Sequence, residues 1–248
     1  MSVKTCNFIL LGIFLSAAFG CEQPPPVHKP IADSTPHYPA HWWAPVSKDG
    51  APAWEIMPQE ASPSEVILSK RNELGVLSNF AATPFEFHGK RYASLEGFWQ
   101  MMKYPEGPDD QRAKFPGIQW KLERDVVGQM TGFDAKRAGD VGSRNMEKMG
   151  IDWVTFEGKQ MPYKPKEPGE HYRLIEEATR AKIEQNPEVK RILLATGNLV
   201  LKPDHHQEKD APAAWRYYDI LMKIRGELQK ESSQSPPATS SGSRPLHE

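Results

Sequence analysis

The spacing of hydrophobic positions changes repeatedly along the middle of this 248-residue chain, between about 64 and 230. Short apolar or alternating runs predict strands at 66–68, 85–87, 153–156 and 199–201, and a turn at 88–90 returns the chain through 91–92. Apolar positions three and four residues apart predict helices at 94–104, 118–129, 134–149, 170–185, 187–194 and 213–230. Because no segment repeats at a fixed period, we expect one compact, helix-rich α+β domain with a few short strands.

The helix predicted at 94–104 has two unlike faces. Ser94 is a suitable N-cap, and Pro105 ends the helix. The stripe expected to face the core consists of Leu95, Phe98 and Met102. The opposite stripe combines a carboxylate, an indole, an amide and an ammonium group, carried by Glu96, Trp99, Gln100 and Lys103. Such a stripe is either a solvated face or the wall of a binding pocket, and the pattern leaves both interpretations open.

Proline-rich and polar segments flank the predicted domain at 64–230. Residues 22–63 are rich in Pro, Ala and Ser, which predicts an extended spacer. Its three tryptophans, Trp42, Trp43 and Trp54, are costly to leave in water, so we expect part of this arm to pack on the domain or to contact another surface. Residues 231–248 contain too few apolar side chains to offset ordering entropy, which predicts a disordered tail.

The first 21 residues have the layout of an export signal, with Lys4 followed by an apolar run at 8–19. The sequence Ala18-Phe19-Gly20-Cys21 resembles the lipobox of bacterial lipoproteins. This resemblance implies acylation of Cys21 and a lipid anchor in the cell envelope, with the domain facing the periplasm or the exterior. Cleavage by ordinary signal peptidase after Gly20 is the alternative.

Composition narrows the chemistry that the domain can perform. The formal net charge is −1, which lacks the excess of cations that a dedicated duplex nucleic-acid partner requires. The only cysteines are Cys6 and Cys21. A cysteine nucleophile, a cysteine-ligated zinc site and a cysteine-ligated iron–sulfur cluster are therefore excluded from the mature domain.

Three separated motifs occur in order along the domain. The first comprises Leu77-Ser78-Asn79-Phe80, His88-Gly89-Lys90-Arg91-Tyr92 and Ser94-x-Glu96-x-Phe98-x-Gln100-x-x-Lys103. The second comprises Ala181-Lys182-Ile183-x-Gln185-Asn186 and Leu193-Leu194-Ala195-Thr196-Gly197, and the third is Leu221-Met222-x-x-Arg225-x-x-Leu228. Together they resemble the NADAR family, also called YbiA-like, over about 65–230. The resemblance implies a compact, helix-rich α+β fold of the YbiA-like type.

The resemblance also implies an activity, the hydrolysis of a bond between ribose and a nitrogen atom. The substrates it suggests are phosphorylated riboflavin-pathway intermediates or ADP-ribose attached to guanine. The family's central glutamate falls on Glu96, and a carboxylate suits this reaction because it stabilises oxocarbenium charge and orients or deprotonates water. The further contacts implied are polar ones from Asn79 and Gln100, stacking from Trp99 or Phe80, and phosphate binding by Arg71 or Lys103.

The chain departs from the family pattern at Gly97 and in residues 204–218, and residues 105–168 also match the pattern poorly. Gly97 stands where the family has a histidine, and residues 204–218 do not reproduce the segment that leads into the last helix. Catalysis with Asp204, His206 and Trp215 in altered roles is one outcome, and binding of a nucleotide-like ligand without turnover is the alternative. Arg225 is either a structural ion-pair partner or a phosphate ligand.

The loop at 204–210 holds four side chains that can ligate metals, Asp204, His205, His206 and Glu208. Adjacent histidines rarely converge on one ion, and no histidine pair has helical i, i+4 spacing here. We therefore expect a solvated loop or a pocket rim, with no metal and no cofactor. The expected partners are a small nucleotide-like or ADP-ribosyl substrate and, through the anchor, a membrane.

Overall fold

The computed structural model describes residues 38–234 of the chain. Its helices are α1 (Leu95–Met101), α2 (Arg124–Gly128), α3 (Gly132–Met149), α4 (Glu170–Gln185), α5 (Pro187–Ala195) and α6 (Tyr217–Gln234). Its strands are β1 (Glu65–Ile67), β2 (Phe85–Phe87), β3 (Lys90–Tyr92), β4 (Trp153–Phe156), β5 (Lys159–Pro162) and β6 (Val200–Lys202). Helices and short strands enclose one hydrophobic core, which confirms the expected α+β domain. The predicted export signal and Cys21 lie outside the described residues.

Two of the strand pairs are hairpins with the same kind of turn. In β2–β3 the turn residues His88 and Gly89 have φ values of 49° and 73°, and in β4–β5 Glu157 and Gly158 have 50° and 75°. Two consecutive residues at positive φ are typical of the type I′ turn, whose twist matches that of the flanking strands. The first hairpin was predicted, whereas β5 was not.

The third strand pair joins distant parts of the chain. Strands β1 and β6 are parallel, with Val66 opposite Leu201 and both side chains buried. Because parallel strands end at the same edge, the loops that follow them emerge side by side. This places Lys70 next to Asp204.

Helix α1 is buried along its whole length. Ser94 caps it as predicted, since its side chain accepts a hydrogen bond from the Gly97 backbone N–H at 2.9 Å. The helix packs against both α2 and α3. Gly142 of α3 permits that approach, because a Cβ atom there would lie 2.9 Å from the Cβ of Lys103. The predicted stripe of Glu96, Trp99, Gln100 and Lys103 is therefore not a solvated face.

The described part of the N-terminal arm packs on the domain. Trp42 is buried and donates to Glu73 Oε1 at 2.7 Å, and Trp43 donates to the Glu65 carbonyl at 2.9 Å. The sequence placed the start of the domain at 64, but the packing described here begins at Tyr38, because the indoles of the arm reach hydrogen-bond acceptors on the domain. At the other end, α6 continues to Gln234, four residues into the predicted tail.

Two predicted helices begin later in the chain than their patterns suggested. The helix expected at 118–129 forms only as α2, and Trp120 instead donates to the Arg112 carbonyl at 2.9 Å. The last helix begins at Tyr217 after a 3-10 turn at Ala213–Trp215. None of the helices within residues 38–234 is long and apolar enough to cross a membrane.

Candidate functional site

A cleft of about 710 Å³ opens beside α1 and α3. Its volume falls within the range of about 300–1,000 Å³ that is usual for small-molecule sites. Nine of the residues predicted from the sequence line it: Asn79, Phe80, Glu96, Trp99, Gln100, Lys103, Asp204, His206 and Trp215. The cleft therefore brings together parts of the first motif and of the rewritten 204–218 segment.

Glu96 lies in the wall of this cleft and is only 6% exposed. Gln100, one helical turn further along α1, donates from Nε2 to Glu96 Oε1 at 2.7 Å. The Glu96 backbone N–H donates to the Asn79 carbonyl at 2.9 Å, which fixes the Asn79 loop against α1. No salt bridge within residues 38–234 neutralises the carboxylate. Burial raises the pKa of Glu96, while Gln100 and Lys103 oppose that rise.

Lys103 is the cation on the same face of α1, and it is 3% exposed. Its Nζ donates to Ser143 Oγ at 2.8 Å and to the Gly139 carbonyl at 3.2 Å, and it lies 5.0 Å from the centre of the Tyr163 ring. Burial lowers the pKa of Lys103 to about 8, although the charge of Glu96 acts in the opposite direction. The two buried groups thus favour each other's charged forms.

Asp204 is a second buried carboxylate of the cleft. Lys70 donates to its Oδ2, and the Nδ1 of His205 lies 3.2 Å from its Oδ1. Burial alone would raise the pKa of Asp204, but the hydrogen bonds from His205 and Lys70 outweigh burial and lower it. Asp204 is therefore an ionised group that holds Lys70 and His205 at the cleft wall.

Aromatic side chains form the part of the wall that surrounds Trp99. Its indole Nε1 donates to the Tyr163 hydroxyl at 3.2 Å, and the Tyr163 and Trp215 ring centres are 6.1 Å apart. Behind Trp99 the ring of His171 is buried, with its centre 5.2 Å away and neither ring nitrogen hydrogen-bonded within the described residues. Burial lowers the pKa of His171 to about 4, so the ring is neutral at physiological pH.

Arg71 and Arg225 lie outside the cleft, contrary to the sequence prediction. Arg71 is turned toward the N-terminal arm, where its guanidinium donates to both carboxylate oxygens of Glu55 at 2.7 and 2.8 Å. Arg225 is buried beneath the surface and donates to Thr196 Oγ1 at 2.6 Å, so it is neither a phosphate ligand nor an ion-pair partner among the described residues. In the loop after β1, the cation that lines the cleft is Lys70, the residue before Arg71.

The sequence prediction missed several residues of the cleft. They include Trp54, Lys70, Phe133, Lys136, Arg137, Asp140, Tyr163 and Lys164. Four of them, Phe133, Lys136, Arg137 and Asp140, lie at i, i+3, i+4 and i+7 of α3. That spacing could have indicated a shared face, but it does not show that α1 lies opposite.

Among the histidines of the 204–210 loop, His205 contacts one other potential ligand, Asp204. His205 and His206 line the cleft. Across residues 38–234, no group of three or more His, Cys, Asp or Glu side chains is placed to hold a metal ion.

Comparison with known proteins gives one solved structure similar to this chain. No protein-family model matches the chain, and no curated protein matches it significantly. The similar structure is the NMR structure of the E. coli protein YbiA, with 19% sequence identity and a TM-score of 0.45. The alignment covers 75% of this chain and 95% of that chain. The function proposed next depends on the cleft itself.

Proposed function

We propose that the domain hydrolyses the bond between a ribosyl carbon and a nitrogen atom in a nucleotide-like or ADP-ribosylated substrate. The observation that carries this proposal is the position of Glu96. It is a buried carboxylate in the wall of a cleft, oriented by Gln100, and no salt bridge among the described residues neutralises it. A buried carboxylate that no salt bridge neutralises lowers the stability of the fold, so the presence of one in a cleft favours a catalytic role.

The reaction needs a negative charge close to the sugar. Cleavage of an N-glycosidic bond develops positive oxocarbenium charge, which an ionised Glu96 stabilises from its buried position in the cleft wall. The same carboxylate orients the attacking water and accepts its proton. Burial raises the pKa of Glu96, which makes it a stronger base, while the nearby Lys103 ammonium favours its ionised form.

The remaining cleft residues suit a nucleotide-like substrate. Trp99, Tyr163 and Trp215 offer aromatic surface for a base. Lys103 and the exposed Lys164 provide positive charge for phosphate, and neither forms a salt bridge with a carboxylate among residues 38–234. Asp204 acts as a positioning residue, because it holds Lys70 and His205 through direct contacts.

The test is a screen for released base against a panel of nucleotides and ADP-ribosylated nucleosides, followed by the Glu96→Gln variant. The amide retains the size of the carboxylate but carries no charge and is a poor base. We expect substrate affinity to persist while kcat falls by about 10²- to 10⁴-fold. The matched control is Glu177→Gln, which changes an exposed carboxylate of α4 and should leave kcat unchanged.

Two results would contradict the proposal. Wild-type turnover by Glu96→Gln would remove Glu96 from its central role. Tight binding of a nucleotide by the wild type, with no release of base from any member of the panel, would favour the alternative function of binding without turnover.

A further inference from the structure

Two exposed aromatic side chains face each other across the mouth of the cleft. Trp54, from the N-terminal arm, is 43% exposed, and Phe133, from the first turn of α3, is 50% exposed. Their ring centres are 6.5 Å apart, and the Phe133 and Phe80 rings form a T-shaped pair with centres 5.2 Å apart. We call Trp54, Phe80 and Phe133 the mouth cluster. All three line the cleft, so they present apolar aromatic surface to whatever enters it.

The arm holds Trp54 in place through the residues that follow it. The Ile56 backbone N–H donates to the Asp204 carbonyl at 2.9 Å, and Met57 is buried in the core. Glu55 forms an isolated antiparallel β-bridge with His205, and its carboxylate forms a bidentate salt bridge with Arg71. Trp54 is thus followed by three anchored residues, so little backbone entropy remains to be lost when a ligand stacks on it.

Cations surround the mouth cluster. The Lys70 ammonium lies 5.1 Å from the centre of the Phe80 ring. One turn beyond Phe133 along α3, Lys136 and Arg137 pair with Asp140 and Asp134 at exposed positions. Exposed ion pairs contribute little to stability, so a phosphate group can replace these carboxylates at small cost.

A second group of rings lines the same cleft. Trp99, Tyr163 and Trp215 form this inner cluster beside Glu96 and Lys103. Among the described residues, no ring contact joins the inner cluster to the mouth cluster. A ligand that fills the cleft therefore meets aromatic surface at two separate places, and a mononucleotide has only one base to offer.

We propose that the mouth cluster is a second subsite that binds a planar heterocycle, and that Trp54 is its specificity-determining residue. The ligand class that fits has two heterocycles joined through phosphate, one at the inner cluster and one stacked on Trp54. The assignment of the inner cluster to the reacting end rests on the function proposed above. The mouth cluster itself is defined by geometry and can be tested by binding alone.

The experiment measures binding by calorimetry in the Glu96→Gln background, where any turnover of the ligand should be about 10²- to 10⁴-fold slower. The probes are AMP, with one adenine, and diadenosine 5′,5′-diphosphate, with two adenines joined through phosphate. We expect the parent to bind the two-ring probe more tightly. Trp54→Ala should weaken binding of that probe by about 5- to 150-fold and leave AMP affinity unchanged, whereas Trp54→Phe should retain most of the difference.

The control variant is Phe115→Ala, which removes an aromatic ring that is 40% exposed and does not line the cleft. It should bind both probes as the parent does. Equal affinity of the parent for both probes, or binding of neither, would overturn the second subsite. Equal loss of both probes in Trp54→Ala would show that Trp54 maintains the shape of the cleft instead. None of these results depends on base release, so the subsite and the proposed activity can fail separately.

Discussion

The side-chain amide of Gln100 lies directly against the backbone of Gly139. A Cβ atom at position 139 would lie 1.9 Å from Gln100 Oε1, well inside contact distance. Gln100 donates to Glu96 at 2.7 Å. Because Gly139 has no side chain, the Gln100 amide can occupy the position from which it orients the candidate carboxylate.

Gly139→Ala should therefore impair activity more than stability. The new methyl group must displace the Gln100 amide, and small displacements of positioning groups cost up to about 100-fold in rate. Overpacking costs about 1–3 kcal/mol, which the higher helix propensity of Ala offsets by about 1 kcal/mol. Base-release kinetics and urea unfolding separate the two effects. Gly226→Ala in α6, where a Cβ meets no atom within 4 Å, is the control and should stabilise the domain.

Gly97→Ala should destabilise the fold. A Cβ at this position would lie 2.5 Å from the Met130 carbonyl oxygen and 3.0 Å from that of Gly128, and backbone atoms cannot move aside as a flexible side chain can. We expect a loss of about 1–3 kcal/mol in the free energy of unfolding, measured by urea denaturation. The same contacts leave no room here for the histidine that the family pattern has at this position. A variant as stable as the wild type would contradict this explanation.

The pH dependence of turnover should report the Glu96–Lys103 pair. Activity should fall on the acidic side as Glu96 is protonated, at a pH above the ordinary carboxyl value of 4.5 because its pKa is raised. It should fall on the alkaline side near pH 8 as Lys103 loses its proton. In Lys103→Met the alkaline limb should disappear and the acidic limb should move to higher pH, because the charge that lowers the pKa of Glu96 is gone. Profiles of kcat/KM test both shifts, and an unmoved acidic limb would refute the coupling.

Lys182 should make stability depend on pH. Its buried ammonium donates to the Ser78 and Val76 carbonyls at 2.8 and 3.2 Å, and burial lowers its pKa from 10.5 to about 7. Between these values the unfolded chain binds more protons at this residue than the folded one, so its contribution to stability rises with pH and is lost as pH falls through about 7. The wild type should gain free energy of unfolding relative to Lys182→Met between pH 7 and 9.

Urea denaturation at several pH values measures this difference, and subtraction of the variant cancels the other titrating groups. Lys148→Met, at an exposed position of α3, is the control and should show no pH-dependent difference from the wild type. A constant difference for Lys182→Met across the same range would mean that the pKa of Lys182 is not lowered.

Cys21→Ala should release the mature protein from membranes. We propose the anchor from the sequence alone, since Cys21 lies outside the described residues. Without acyl chains, the proline-rich arm contains no apolar run that could hold the protein to a bilayer. Detergent-phase partitioning measures the effect, and partitioning equal to that of the wild type would refute lipidation.

The sequence predicted those helices and hairpins that are determined by residues close together in the chain. Ser94 and the apolar spacing after it were sufficient for α1, and His88-Gly89 was sufficient for the first hairpin. Strand β5 was missed because Met161 is its only buried residue, so no alternation is visible.

The cleft was predicted only in part, because its walls come from distant segments. The spacing along α1 grouped Glu96 with Lys103 but could not show that this face is buried, which depends on the glycines of α3. Lys70 and Asp204 are 134 residues apart, and no local period indicates that they meet. The contact between Trp54 and Phe133 could not be predicted for the same reason, because the tertiary fold and not the local sequence brings these two segments together.

The parallel pairing of β1 with β6 determines the stage of folding at which the cleft can form. Strand β1 is made early in synthesis, but it has no partner until β6 has been translated. Contacts of such long sequence separation form late, after the cost of closing a long loop has been met. A folding chain therefore lacks the wall that contains Asp204 until nearly the whole domain is available to fold. We therefore expect ligands to bind at this cleft only after β1 and β6 have paired.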